Sequence, residues 1–296
     1  MRRIARWRAG LGAARMIDKK KEKTLFRATL LCVCVWLCAG AALAAEASPA
    51  TPPGQGGGMQ ATFTPPLSQA PAALRARLRD CDRACPQLQL RYAATPQAAI
   101  NRRINAEINR QLQAHLGAAA LRQAGLDEHG IPRDFAPIWA AFDEAMPGNS
   151  SLSLEVSYLG AYRGWQQFEL QSGHYFEGKA HPEYAQCSYL IDGQGQALDV
   201  QGLLRPGQQA ALLALLEQAR QAAFDGPAQH YAQLRAQFAT FISPCFHFSE
   251  DGGELVFLYS PYGLGPFTDG PQELRLPIDR LGKILRPQWL RPIQNR

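Results

Sequence analysis

Beyond Ala45 the sequence has no excess of positive charge. Lys and Arg outnumber Asp and Glu by 31 to 25 over the 296 residues, but residues 1–44 hold ten of the bases and two of the acids. The remainder holds 21 bases against 23 acids. A segment so close to neutral lacks the field that draws phosphate backbones, and no basic stripe with interleaved aromatics follows Ala45. Nucleic acid is therefore not an expected partner. Other motifs are absent too. There is no Gly-rich phosphate loop before a helix, no His-Glu-x-x-His and no internal repeat; Gly148-Asn149-Ser150-Ser151 is a strand-leading turn rather than a nucleophile elbow. Asp192, Glu250 and Asp251 lie at turns, where acids serve turn chemistry first.

The missing positive charge has gone into an export signal. Lys19-Lys20-Lys21-Glu22-Lys23 and Arg27 precede eighteen uncharged residues, 28–45, and the run ends in the small-x-small sequence Ala42-Leu43-Ala44. The expectation is a signal peptide over 1–44, starting at Met1 or Met16, and a periplasmic or secreted product with no membrane span after cleavage. An uncleaved anchor is disfavoured by the Ala/Gly-rich second half of the run. Lipidation at Cys38 is disfavoured by the bulk of Leu37 before it.

Residues 45–77 are rich in Pro, Gly and Ala and have no apolar periodicity, which predicts a flexible tether. Order is expected over 78–296. Leu88 and Leu90 alternate as in a strand. Ile100, Ile104, Ile108 and Leu112 recur every four residues, an amphipathic helix that leaves Asn101, Arg102, Arg103, Asn105 and Glu107 off the apolar stripe. Thr95-Pro96 opens that helix. A second helix is expected over 134–146. Strands carrying Leu152, Leu154 and Val156, then Trp165 to Leu170, then Tyr184 to Ile191 follow, the last running into the Asp192-Gly193 turn. Helical spacing returns over 206–224 and 231–241, and short strands near 246–248, 255–259 and 274–276 close the chain. Helices and strands come in blocks, so the expected fold class is α+β, an antiparallel sheet with packed helices.

Three of the seven cysteines lie in the signal. The four left, Cys81, Cys85, Cys187 and Cys245, suit disulfides in an oxidising compartment. Cys81–Cys85 and Cys187–Cys245 is the favoured pairing, with a zinc site as the rival.

Two loops hold the candidate site residues. In residues 173–182, His174 and His181 flank Glu177 and Lys179; two imidazoles and a carboxylate suit ligand binding, and metal or proton chemistry is the alternative. In residues 259–271, Pro and Gly fix the path while Tyr262 and Phe267 present rings suited to stacking on sugars or anchoring an interface.

The two loops together resemble a known family. Gly178-Lys179-Ala180-His181-Pro182 is similar to the Gly-Gly-Ala-His segment of the RsiV-like extracytoplasmic domains, with Lys179 in place of the second glycine. Asp192-Gly193 through Leu203-Leu204, the run from Phe246 to Phe267, and Ile100-Asn101-Arg102-Arg103-Ile104-Asn105 after Cys85-Pro86 resemble other segments of that family in the same order. Members include the outer part of a lysozyme-sensing anti-sigma factor and a domain beside a peptidoglycan deacetylase. The resemblance implies an envelope binding or sensing domain, with a peptidoglycan fragment or lysozyme-like protein as partner and no cofactor. Sigma-factor regulation and deacetylation are not carried over, since this sequence holds neither an anti-sigma segment nor a deacetylase domain. An envelope hydrolase or metal-dependent enzyme using the loop of His174 and His181 is the alternative.

Overall fold

A computed structural model describes residues 65–81 and 85–290; the expected signal and the first part of the expected tether lie outside them. The helices are α1 Ala72–Arg79, α2 Ala98–Leu116, α3 Ala118–Ala124, α4 Ala136–Ala145, α5 Val200–Leu203, α6 Gln209–Ala223 and α7 Ala228–Gln237. The strands are β1 Gln87–Arg91, β2 Ser151–Tyr162, β3 Trp165–Tyr175, β4 Glu183–Ile191, β5 Phe246–Phe248, β6 Glu254–Tyr259 and β7 Gln272–Pro277. The α+β class agrees with expectation. The antiparallel sheet is found in part: among the described residues there are two sheets, ordered β1-β2-β3-β4 and β5-β6-β7, antiparallel except that β1 runs parallel to β2. Alternation in sequence is the same in either strand direction. Here α2, α3 and α4 lie between β1 and β2 and return the chain to the end where it began, so the pair is parallel.

The first layer forms as the apolar stripe dictates. Ile100, Ile104, Ile108 and Leu112 of α2 are almost wholly buried, in one cluster with Leu88, Leu90, Leu152, Leu154, Phe168 and Leu170 from the sheet. Burying each such side chain stabilises by about 1.5–3 kcal/mol. The adjoining face of α2, off that stripe, is buried as well. Asn101, Asn105 and Asn109 are buried, one turn apart, and bind two pieces of backbone. Asn101 exchanges hydrogen bonds with the amide and carbonyl of Thr95, and Asn105 does the same with Ala93. Asn105 and Asn109 also donate to the carbonyls of His129 and Gly130. The expected cap lies too early: α2 begins at Ala98 after Gln97, so Thr95 and Pro96 precede it, and Thr95 Oγ1 accepts from the amide of Gln97 rather than from the helix.

The second layer sets Leu212 and Leu216 of α6 in one cluster with Leu255, Phe257, Leu274 and Leu276 of the small sheet. Three devices join the two sheets. Cys187 and Cys245 form a disulfide, as Cys81 and Cys85 do, which is the favoured pairing and leaves no thiolates for zinc. The Gln167 amide donates to the carbonyl of Phe248 and accepts from its N–H. Ser188 Oγ lies 3.1 Å from His247 Nδ1.

The segment expected as tether is structured at its C-terminal end. Pro71 precedes α1, whose Leu74 is fully buried in the first core. One turn pair of leucines in an Ala/Arg-rich stretch is too short to register as periodicity. The hairpin between Tyr162 and Trp165 uses Arg163 and Gly164, both with positive φ, the geometry of a two-residue turn that suits strand twist. Among the described residues no helix is long and apolar enough to cross a membrane.

Candidate functional site

The two loops singled out in the sequence meet. The first leaves β3 at Tyr175 and is held at its base by Ser150, whose Oγ accepts from the amide of Glu177 and donates to the carbonyl of Pro147. A turn follows, with the Lys179 amide donating to the carbonyl of Phe176. His181 then lies flat on Phe267 of the second loop, with ring centroids 3.9 Å apart and planes 23° from parallel.

The second loop leaves β6 at Tyr259. Ser260 Oγ accepts from the Gln186 amide of β4, and the Gly263 amide donates back to the carbonyl of Ser260. Farther along, the buried Arg220 of α6 donates to the carbonyls of Leu264 and Phe238 and to Thr240 Oγ1. Thr240 in turn donates to Glu217, which passes the acid's charge toward the guanidinium. A charge is thus spent inside the protein to hold this loop down.

Between the loops is a cleft of about 450 Å³ whose walls include Lys179, His181, Glu183, Tyr184, Tyr262 and Phe267. Tyr262 is 56% exposed and Tyr184 52% exposed. Tyr262 has φ +67°, a left-handed conformation that costs a non-glycine residue about 1–2 kcal/mol. The fold sustains that cost with the residue more than half exposed and its ring centroid 5.7 Å from that of Phe267. A wider hollow of about 600 Å³ lies between α2 and α3, lined by Ala106, Arg110, Gln113, Leu121 and Leu126. It is an open groove whose lining includes Arg110 and Arg122 but no aromatic ring and no carboxylate, whereas the loop cleft combines aromatic walls with a cation, a carboxylate and an imidazole.

Four of the six expected binding residues, Lys179, His181, Tyr262 and Phe267, line the cleft. His174 and Glu177 do not. The His174 ring packs 4.5 Å from that of His115, at the end of α2, and its Nε2 lies 3.3 Å from Glu183 Oε2. It reaches the cleft only through that carboxylate. Burial, and then the neighbouring His174, hold the His115 imidazole below its ordinary pKa, with Glu183 acting in the opposite direction. Glu177 lies over Gly148, at a spot where any Cβ would collide with its carboxylate, and near Asn149. Among the described residues no three His, Cys, Asp or Glu side chains gather to hold a metal ion.

Three residues escaped the sequence reading. His115 is brought to His174 by tertiary packing and carries no local signal, whereas Glu183 is the strand partner of His174 in the β3–β4 pair. Tyr184 had one: its strand partner is Gly173, and an exposed ring opposite a glycine is free to lie across the strand.

No known protein-family pattern matches the sequence, and no curated protein matches it. Solved structures do match. One is a DUF3298 family protein from Pseudomonas aeruginosa PAO1, with a TM-score of 0.51 and 20% identity over 70% of this chain and 88% of that one. Another is a member of the DUF3298 family from Bacteroides fragilis NCTC 9343, with a TM-score of 0.50 and 17% identity over the same shares. The likeness is one of fold. DUF3298 denotes a domain of unknown function, and at these identities the neighbours carry no site residue across.

Proposed function

We propose that this chain is an exported cell-envelope protein, an RsiV-like domain that binds a wall glycan in the cleft between residues 173–182 and 259–271. The observation that carries the reading is the strained, exposed Tyr262 lining one cleft with the exposed Tyr184 and the stacked rings of His181 and Phe267. Rings of this kind stack on the apolar faces of sugars, and the flanking Lys179, Glu183 and His181 supply donors and acceptors for hydroxyl and acetamido groups. Export, the Pro/Gly-rich tether and the two disulfides suit an envelope location. The metal-dependent or hydrolytic alternative gains nothing from the geometry, because His174 and Glu177 turn away from His181.

The test is calorimetric titration of the purified protein with peptide-free glycan strands and muropeptides, with lysozyme as a separate arm. Glycan binding is expected, and Tyr262→Gly is expected to abolish it while leaving the melting temperature unchanged or higher, since glycine relieves the left-handed backbone. Binding of lysozyme but not glycan would overturn the glycan reading. Loss of fold in Tyr262→Gly would make the loop structural.

A further inference from the structure

The outer face of the large sheet adjoins the cleft, and the register shows why it is polar. The core-facing residues are Leu88, Leu90, Leu152, Leu154 and Leu170, so their neighbours point the other way. Across the strands these neighbours fall in two rows. One runs Ser153, Gly173, Tyr184; the other runs Glu155, Gln171, Gln186. They enclose a hollow of about 330 Å³ whose rim includes Tyr184, which also walls the loop cleft.

Tyr184 is placed to serve both. A Cβ on Gly173 would stand 3.2 Å from Tyr184 Cε1 and 3.3 Å from Cδ1, so the ring lies against bare backbone and still leaves half its surface in solvent. No lysine or arginine lines this hollow; its one charge is the carboxylate of Glu155, already paired with Arg91 at 3.3 Å. An anionic ligand segment finds no partner there. Serine hydroxyls, carboxamides and a carboxylate do match a neutral surface of hydroxyl groups, each of which donates and accepts.

Resting on the glycan reading of the cleft, we infer that the Ser153/Gln171/Gln186 face is a second subsite of the same site, so that the ligand is an extended oligosaccharide crossing Tyr184 from one hollow to the other with its uncharged N-acetylglucosamine units over this face. Occupying both hollows makes affinity grow with chain length. Two added hydrogen bonds to neutral groups are worth about tenfold.

The experiment titrates the protein with β-1,4-linked N-acetylglucosamine oligomers, from disaccharide to hexasaccharide. The hexasaccharide is expected to bind about tenfold tighter than the disaccharide. Gln171→Ala with Gln186→Ala is expected to erase that gain and leave disaccharide affinity unchanged, with an unaltered melting temperature. Gly173→Ala, which crowds the Tyr184 ring, is expected to weaken both. Binding without length dependence overturns the second subsite and leaves the cleft reading standing. A length gain that survives the double variant also overturns the assignment to this face. Absence of binding by every oligomer overturns both.

Discussion

Asn105 holds Ala93 by both of its backbone groups, accepting from the amide at 2.8 Å and donating to the carbonyl at 2.9 Å, while the same carboxamide nitrogen donates to the carbonyl of His129. One buried side chain thus replaces the strand partner that residues just past β1 lack. Asn105→Leu fits the space roughly but orphans buried backbone groups, and is expected to destabilise by roughly 2–4 kcal/mol. Urea denaturation of the two proteins measures it. A loss below about 1 kcal/mol would mean that water takes over these bonds.

The alternation of Leu152, Leu154 and Val156 and the four-residue spacing of the α2 isoleucines predict their burial, because one-sided burial imposes those periods. The asparagines of α2 repeat at the same spacing one position along, and nothing local distinguishes a solvent face from one clasping a distant loop. Strand direction for β1 was hidden for a similar reason. The cleft was half readable. Loop composition pointed to Lys179, His181, Tyr262 and Phe267, but the displacement of His174 onto His115 depends on a helix end 59 positions earlier in the chain.

The Cys187–Cys245 bridge closes 58 positions of chain. On the chain-entropy model a loop of that size gives about 4 kcal/mol. Replacing both cysteines by serine is expected to cost about that much, measured by denaturant titration, whereas opening Cys81–Cys85, with a separation of 4, is expected to cost about half as much.

Acidification should weaken the fold through two histidines. Burial holds both His115 and His247 below the ordinary value of 6.5, aided by His174 for the first and Arg275 for the second, and opposed by Glu183 and by Glu273 and Glu169 respectively. The unfolded chain therefore binds protons before the folded one does. Their contribution is complete above about pH 6.5 and is lost as pH falls through the lower folded values. Stability measured by urea between about pH 8 and about pH 5 should fall toward acid, and His115→Gln with His247→Gln should flatten the slope. An unchanged slope would assign the acid sensitivity elsewhere.

Arg220 should not be replaceable by lysine. Its two terminal nitrogens reach three acceptors on two segments, a fork that an ammonium cannot reproduce. Arg220→Lys is expected to destabilise by roughly 3 kcal/mol and to speed amide hydrogen exchange in residues 259–271 more than in β2 and β3. Uniform exchange across the molecule would show that the arginine does not act through this loop.

Helices α5, α6 and α7 all lie inside the chain segment that the bridge between Cys187 and Cys245 closes into a covalent ring. A protease that cuts the exposed surface of α7 would therefore release no fragment. The nicked molecule would migrate as one species until a reductant is added, then as two, and only a second cut inside the ring would free a piece of chain.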